Sequence, residues 1–334
     1  MKKKFSQILI LVLIVALSLS FVGCARNSAS TSTTSGDGTK ELVTLKLANL
    51  AVGLDSAYHQ LGIEKGIFKK YGIDLQIVNF AKGGAEATAG VASGQVDMGS
   101  YGTPILTGIA KGLPIKIVAA PAVKKNTFVL VGKKGVTSVA DLKGKTVATG
   151  ALGGGSHQSF LKILEGNGLK DSDVKVVATG GTDEYMILSS GKVDGVITTE
   201  PTVSKLVADG VGTVLAKAED NYGKYEHSYV FATDDFINKH PEAVANFLKA
   251  SRESYEYSKN NFEELVAKGK TLVNLDENII REYYKKQIED WDLSFKVDIE
   301  GTKNAVKIVQ GFGEIDKSVS FDESTWLNSS FLEK

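Results

Sequence analysis

The chain carries one short pattern twice, as ASGQVDMGSYGTP at residues 92–104 and as SSGKVDGVITTEP at residues 189–201. A shift of 97 positions superposes Asp97 on Asp194 and brings six further identical pairs into register. Recurring turn chemistry is one explanation, because Gly often follows a helix and Pro often begins one. Seven identities at a single shift favour two lobes built on one plan. The pairs are Gly83 and Gly180, Gly84 and Gly181, Ser93 and Ser190, Gly94 and Gly191, Val96 and Val193, Asp97 and Asp194, and Pro104 and Pro201.

Short apolar segments alternate with segments of helical period along much of the chain. VTLKLANL at 43–50 is followed by a predicted helix over about 57–71 and then by IDLQIVNF at 73–80, which indicates a β-α-β unit with parallel strands. The alternation restarts at 141–150. The sequence therefore predicts an α/β fold of two lobes, each a doubly wound, mostly parallel sheet with flanking helices. Parallel sheets of this kind bind ligands at the carboxyl ends of their strands.

The second run of alternation is followed by one more strand and by long amphipathic helices. If TFVLV at 127–131 and SYVFA at 228–232 are the strands that cross between the lobes, the C-terminal helices return to the first lobe. We therefore expect lobe I at 41–126 and again at 231–334, and lobe II at 127–230. Two connections form a hinge, and closure around a ligand is a common use of such an architecture.

The N-terminus has the features of an export signal. Residues 1–23 join a basic start at Lys2–Lys4 to an apolar run that is short for a membrane-spanning helix, although a retained helix is the alternative. The segment Phe-Val-Gly-Cys that ends at Cys24 resembles the bacterial lipoprotein processing box, which implies diacylation of Cys24 and a stable anchor. Residues 24–40 continue as a flexible Ser/Thr-rich linker. We expect the mature protein to be tethered to the outer face of the cytoplasmic membrane, on the extracellular or periplasmic side.

Five motifs follow one another along the chain, namely EKGIFKKYGIDLQIV (64–78), GGAEATAGVASGQVDMG (83–99), GLPIKIVAA (112–120), DLKGKTVATG (141–150) and VDGVITTEP (193–201). Their order resembles the substrate-binding proteins of ABC importers, in the branch for nitrate, sulfonate, taurine and thiamine precursors. The resemblance covers about residues 45–249. It implies the type II periplasmic-binding fold, two lobes that close on a small ligand, and delivery to a membrane permease with a cytoplasmic ATPase.

Two loops of lobe I offer candidate ligand contacts. Asp55 and Ser56 stand where a helix cap belongs, and the resemblance implies in addition that their loop, as far as Tyr58, lines one wall of the cleft. The loop Ser100-Tyr101-Gly102-Thr103 offers hydroxyls, an aromatic ring and a glycine that lets a ligand approach the backbone. An ordinary turn is the alternative for this second loop, but its place at the carboxyl end of a strand favours a ligand contact.

The most distinctive loop of lobe II is ALGGGSHQSF at 151–160. Gly154 and Gly155 leave backbone N–H groups accessible, and Ser156 or His157 begins a helix whose positive end favours an anion. The loop lacks the Gly-Lys-Ser ending of a nucleotide-binding P-loop and the spacing of a dinucleotide fingerprint, which argues against both ligands. A flexible turn is the alternative.

Thr199 and Glu200 occupy the matching rim of lobe II. Glu200 could satisfy the dipole of the following helix or accept a hydrogen bond from a ligand N–H. The candidate loops contain no Arg or Lys, so a small anion such as an aliphatic sulfonate would rely on helix N-termini and hydroxyls. Glu200 with Tyr58 and Tyr101 would instead suit a nitrogen heterocycle, such as a thiamine-pyrimidine or flavin-type precursor. The sequence favours the small anion, with the heterocycle or a solute sensor without transport as alternatives.

Composition excludes several other functions. Lys and Arg total 39, as do Asp and Glu, so no net charge attracts the chain to nucleic acid. Cys24 is the only cysteine, and the four histidines form no metalloprotease pattern. A branch of this fold that makes the thiamine pyrimidine carries a cysteine-rich motif that is absent here, and GGGSHQ is not a nucleophile elbow. We therefore expect a monomeric binding protein without catalytic residues, metal or cofactor.

Overall fold

The computed structural model describes residues 41–50, 53–80, 83–179 and 183–332. The predicted signal peptide, Cys24, the linker and the repeat glycines Gly180 and Gly181 lie outside the described residues. The part of the chain from Glu41 onward is one compact unit. Within the described ranges, no helix is both long enough and apolar enough to cross a membrane.

In the described ranges of this unit, ten strands alternate with helices over most of the length. The strands are β1 Val43–Asn49, β2 Ile73–Asn79, β3 Met98–Tyr101, β4 Ile115–Ala119, β5 Val129–Lys133, β6 Thr146–Thr149, β7 Lys175–Ala178, β8 Gly195–Thr198, β9 Gly212–Lys217 and β10 Tyr229–Thr233. The helices are α1 Ala57–Glu64, α2 Ile67–Lys70, α3 Gly84–Ala92, α4 Pro104–Ala110, α5 Gly155–Gly166, α6 Glu184–Ser189, α7 Thr202–Ala208, α8 Asp234–Lys239, α9 Pro241–Asn260, α10 Phe262–Leu272, α11 Glu277–Glu289, α12 Ile299–Gly311 and α13 Glu323–Trp326.

The strands form two five-stranded sheets of the same design. Their orders are β2-β1-β3-β10-β4 and β7-β6-β8-β5-β9. In each sheet the first three strands are parallel, and the fourth, β10 or β5, is antiparallel to both of its neighbours. The α/β fold with two mostly parallel sheets is thus confirmed. We call the first sheet with the elements packed on it lobe I, and the second sheet with its helices lobe II.

The two antiparallel strands, β5 and β10, each begin after a segment that crosses from one sheet to the other. The first connection, residues 120–128, joins β4 to β5, and the second connection, residues 218–228, joins β9 to β10. Tyr284 and Val244 of the C-terminal helices belong to the same buried cluster as Leu45 of the first sheet. The C-terminal helices therefore share a core with lobe I, although the whole of lobe II precedes them in sequence.

The repeated motif has the same structural role in both lobes. Gly94 and Gly191 each follow a helix with φ of 72°, in the left-handed region that favours glycine. Asp97 and Asp194 each accept a hydrogen bond from a backbone N–H of the neighbouring parallel strand, at 2.8 and 2.9 Å. The repeat therefore ends a helix and ties the start of β3 or β8 to the sheet, and it accounts for the two matching topologies.

The predicted helix over about 57–71 is wrong in one respect, because it forms two helices, α1 and α2. Gly66 separates them with φ of 71°. A residue in that conformation cannot continue a right-handed helix, and glycine adopts it without steric cost. The break turns the chain so that Phe68 of α2 is buried in the lobe I core.

Candidate functional site

A cavity of about 1910 Å³ lies between the two lobes. Its lining includes the residues that follow β1, β3, β6 and β8, together with residues of α11 and of both connections. It is therefore built at the carboxyl ends of the strands, where open α/β sheets bind ligands. Pockets for small molecules usually measure about 300–1,000 Å³, so the cleft is wider here than a small ligand needs.

Eleven of the thirteen ligand contacts predicted from the sequence line this cavity. They are Asp55, Tyr58, Ser100, Tyr101, Gly102, Thr103, Gly154, Gly155, Ser156, Thr199 and Glu200. The other two, Ser56 and His157, are not among its lining residues, and both side chains bond within their own loops. The Ser56 hydroxyl donates to the Gly53 carbonyl at 2.8 Å, and His157 Nδ1 accepts from the Gly153 N–H at 2.9 Å. For the eleven, contact with a ligand stays a prediction.

One wall of the cavity, on lobe I, places a carboxylate among aromatic rings. The hydroxyls of Tyr58 and Tyr283 donate to Asp55 Oδ1, from Tyr58 at 3.4 Å. The Tyr58 ring packs against Tyr255 with 4.6 Å between centroids, and Trp291 meets it edge-on at 5.4 Å. Desolvation by the surrounding protein raises the pKa of the Asp55 carboxyl above its ordinary range. The hydrogen bonds from the two hydroxyls oppose this rise, and solvent reaches the residue from the cleft. This wall can accept hydrogen bonds through the Asp55 carboxylate, which is exposed, whereas the rings of Tyr58, Tyr255 and Tyr283 are buried.

The rim of lobe I carries a further phenol, that of Tyr101. Tyr101 is buried, with its hydroxyl 3.3 Å from Thr88 Oγ1 and its ring edge-on to Phe231 at 5.0 Å. Burial raises the pKa of Tyr101 to about 12, so the phenol is neutral and can donate or accept. The rim therefore contributes hydrogen bonding without charge.

The helices α3 and α5, one from each lobe, begin at the cavity with glycines and without a side-chain cap. α3 begins at Gly84 and α5 at Gly155, and neither N-cap, Gly83 or Gly154, provides a side-chain hydrogen bond to the first turn. All four glycines line the cavity. The first N–H groups of a helix have no partner inside the helix and carry its positive dipole end, so they favour an anion. By contrast, α8, α11, α12 and α13 are capped by the side chains of Thr233, Asp276, Asp298 and Asp322.

Glu200 accepts a hydrogen bond from the first turn of its own helix and also lies near a lysine of lobe I. Its Oε2 accepts from the Ser204 N–H at 2.9 Å in the first turn of α7, which is the first of the two roles considered above. Its Oε1 lies 3.5 Å from Lys286 Nζ of α11 in lobe I. The Lys286 side chain is 61% exposed, and an ion pair so accessible to water contributes about 0–1 kcal/mol.

Gln158 joins the two lobes beneath the glycine loop, and sequence analysis missed it. Its Oε1 accepts from Thr103 Oγ1 of lobe I at 3.0 Å. Its Nε2 donates to Glu314 Oε1 at 2.7 Å and to the Gly153 carbonyl at 3.1 Å. The side chain is buried and connects the rims of both lobes. A glutamine inside an amphipathic helix has no local signal that marks such a role.

Charged side chains of both signs surround the mouth of the cavity. Lys111, Lys125, Lys217 and Lys286 line the cavity. Lys125 pairs with Asp290 at 2.6 Å, whereas Lys286 lies 3.5 Å from Glu200 and Lys217 lies 4.0 Å from Glu219. No arginine is found among the described lining residues. Across the described ranges, no group of three or more His, Cys, Asp or Glu could hold a metal ion. An anion in this cleft would therefore be held by helix dipoles, neutral donors and lysines near the mouth rather than by a guanidinium clamp.

Known proteins share this sequence pattern and fold. The chain is 25% identical over 284 residues to a protein of Bacillus subtilis (strain 168) named for the binding of aliphatic sulfonates, and the match covers 82% of this chain and 81% of that one. It is 28% identical over 169 residues to the taurine-binding periplasmic protein of Escherichia coli (strain K12), covering 50% and 52%. The crystal structure of the periplasmic aliphatic sulphonate binding protein SsuA from Escherichia coli superposes with a TM-score of 0.70 at 21% identity, over 87% of this chain and 99% of that one. That likeness establishes a periplasmic binding protein fold.

The family model described as NMT1/THI5 like matches residues 56–265, which is more than half of the chain. The matched segment contains the repeated motif, both connections and the rims of both lobes. The chain therefore belongs to the NMT1/THI5-like family.

Proposed function

We propose that the protein is the extracellular solute-binding component of an ABC importer and that its ligand is a small anion, in the first place an aliphatic sulfonate. The observation that carries this proposal is the pair of uncapped helix starts, α3 from lobe I and α5 from lobe II, on one cavity. Such starts bind anions through backbone N–H groups and need no cationic side chain. Relatives named for sulfonates and for taurine support the same ligand class.

The two lobes close on the ligand in this proposal. A cavity of about 1910 Å³ is larger than the pockets that usually hold one small molecule, so closure would reduce its volume around the ligand. Bending at the first and second connections would narrow the cleft beyond the contact that Gln158 already makes between the rims. The lobe limits expected from the sequence and the lipid anchor at Cys24 belong to the same proposal: the anchored protein would pass its ligand to a membrane permease with a cytoplasmic ATPase.

Asp55 narrows the ligand class further. Its carboxylate, held by Tyr58 and Tyr283, would accept a charge-assisted hydrogen bond from an ammonium group. An aminosulfonate such as taurine carries both the anion for the helix starts and the ammonium for Asp55, so it fits the cavity better than a simple alkanesulfonate.

A nitrogen heterocycle is the second candidate, and the same wall favours it. A pyrimidine with an amino group could donate a hydrogen bond to Asp55. It would leave the helix starts of α3 and α5 without an anionic partner. For that reason we rank it below the aminosulfonate.

Ligand-induced stabilisation tests the proposal. The purified chain, freed of bound ligand by unfolding and refolding, is heated with taurine, ethanesulfonate, nitrate, thiamine or riboflavin. A ligand at about 100 times its dissociation constant adds about 2.7 kcal/mol to the free energy of unfolding and raises the Tm. Stabilisation by taurine beyond that by ethanesulfonate supports the aminosulfonate, and stabilisation by thiamine or riboflavin alone would replace it by the heterocycle.

A further inference from the structure

His227 occupies the place where the two connections and the rim of lobe I meet. It belongs to the second connection and lines the cavity. Its ring lies 6.1 Å from Phe128 of the first connection, edge-on, and 6.1 Å from Tyr225. Its carbonyl oxygen packs against Gly102, where an added Cβ would come within 2.9 Å. These contacts hold the imidazole between the two connections, on the lining of the cavity.

The two ring nitrogens of His227 have different surroundings. Nδ1 is buried and has no hydrogen-bond partner among the described residues. Nε2 also makes no hydrogen bond with the described residues, but it is not buried. Burial lowers the pKa of the imidazole to about 4, so at neutral pH the ring is uncharged and carries one N–H. A buried N–H without a partner is rarer than a bare acceptor, which favours the proton on Nε2.

We propose that His227 is a specificity-determining residue of the cleft, whose Nε2–H donates a hydrogen bond to the anionic group of the bound ligand. This inference rests on the proposed function. In this proposal the helix starts stabilise the negative charge of the ligand. A neutral donor then adds a directed hydrogen bond without adding charge. Since His227 lies in the second connection, the same bond links the ligand to the segment between the lobes.

The test compares the affinity for taurine of two variants of His227. If the residue only packs, His227→Phe should bind better than His227→Gln, and if it donates to the ligand, His227→Gln should bind better. In His227→Gln the side-chain N–H₂ can take the place of Nε2–H, whereas His227→Phe keeps an aromatic ring between Phe128 and Tyr225 but has no donor. Titration calorimetry with taurine at about pH 7 should show the dissociation constant raised about tenfold or more in the Phe variant and by about threefold or less in the Gln variant. His240, exposed at the start of α9, provides the control, and His240→Phe should bind like the wild type.

The outcomes separate this inference from the function on which it rests. If His227→Phe binds taurine as tightly as the wild type, the inference is wrong but the proposed function stands. The same holds if the Gln variant binds taurine more weakly than the Phe variant. A wild type that binds no sulfonate overturns the proposed function and the inference with it. If the Phe variant fails to fold, imidazole ¹⁵N spectra of the wild type decide, because taurine should shift the His227 Nε2 signal. Affinity that falls as pH rises through about 6.5 would indicate an imidazolium and contradict the neutral donor.

Discussion

Replacing Glu226 by Gln should remove a pH-dependent loss of stability that originates in the second connection. Glu226 is 1% exposed; its Oε2 accepts from the Asp298 N–H at 2.9 Å, and its Oε1 is buried without a partner among the described residues. Burial raises the pKa of this carboxyl to about 7, against the lowering effects of the Asp298 N–H and of Lys124, while Asp298 and Asp292 add repulsion. The carboxyl is therefore protonated in the folded protein below about pH 7.

The sign of the effect follows from the two states. In the unfolded chain the Glu226 carboxyl titrates near 4.5, so between pH 4.5 and about 7 the unfolded state loses a proton that the folded state keeps. The contribution of Glu226 to the free energy of unfolding is therefore highest below pH 4.5, falls as pH rises through this window, and levels off above it. The difference between the pKa values of Glu226 in the two states corresponds to about 3 kcal/mol of unfolding free energy. Glutamine resembles the protonated carboxyl in shape and charge at every pH, so the variant should lack this loss.

Urea denaturation followed by tryptophan fluorescence between about pH 4.5 and about pH 8.5 measures the effect. Relative to the wild type, Glu226→Gln should gain about 3 kcal/mol in unfolding free energy from the low to the high end of this range. Glu300→Gln is the control, because Glu300 is exposed and pairs with Lys303 at the surface. A difference between wild type and Glu226→Gln that stays constant with pH would refute the reasoning.

Three further substitutions test the cleft. Gly154→Val should weaken taurine binding about tenfold or more in calorimetry, because the side chain would stand over the first N–H groups of α5. The φ of −77° suits any residue, but an added Cβ would lie 3.2 Å from the Ala151 carbonyl oxygen, so we also expect a moderate fall in Tm. Wild-type affinity would contradict the helix-start argument. Asp55→Asn should lower affinity for taurine more than for ethanesulfonate, because only taurine carries an ammonium, and an equal loss for both would remove Asp55 from ammonium binding. Gln158→Leu should cost about 2–4 kcal/mol in urea denaturation, because Thr103 and Glu314 lose their partner in a buried site; a cost below about 0.5 kcal/mol would show that the lobes do not depend on this link.

The residues that sequence analysis missed depend on partners far along the chain. Gln158 bonds Thr103, 55 residues earlier, and Glu314, 156 residues later. His227 is one of four histidines and has no motif around it. No local period or spacing records such contacts, because they arise only when distant segments pack together. The same packing brings Tyr283 to Asp55 over a separation of 228 residues.

Local structure and its repetition could be predicted from the order of residues. The alternation of apolar segments indicates the strands and helices, and the repeat indicates two sheets of one topology. Loops that follow parallel strands must lie at the carboxyl ends of those strands, which is why most of the predicted contacts line one cavity.

Which groups meet in that cavity depends on the packing of the whole chain. Asp55 lies among tyrosines, Glu200 bonds to its own helix, and His227 stands at the junction of the two connections. Hydrogen bonds and ring contacts form between side chains that are close in space, whereas propensity and periodicity act only between near neighbours in the chain. A residue whose partners lie in another segment therefore acquires its role only in the folded protein.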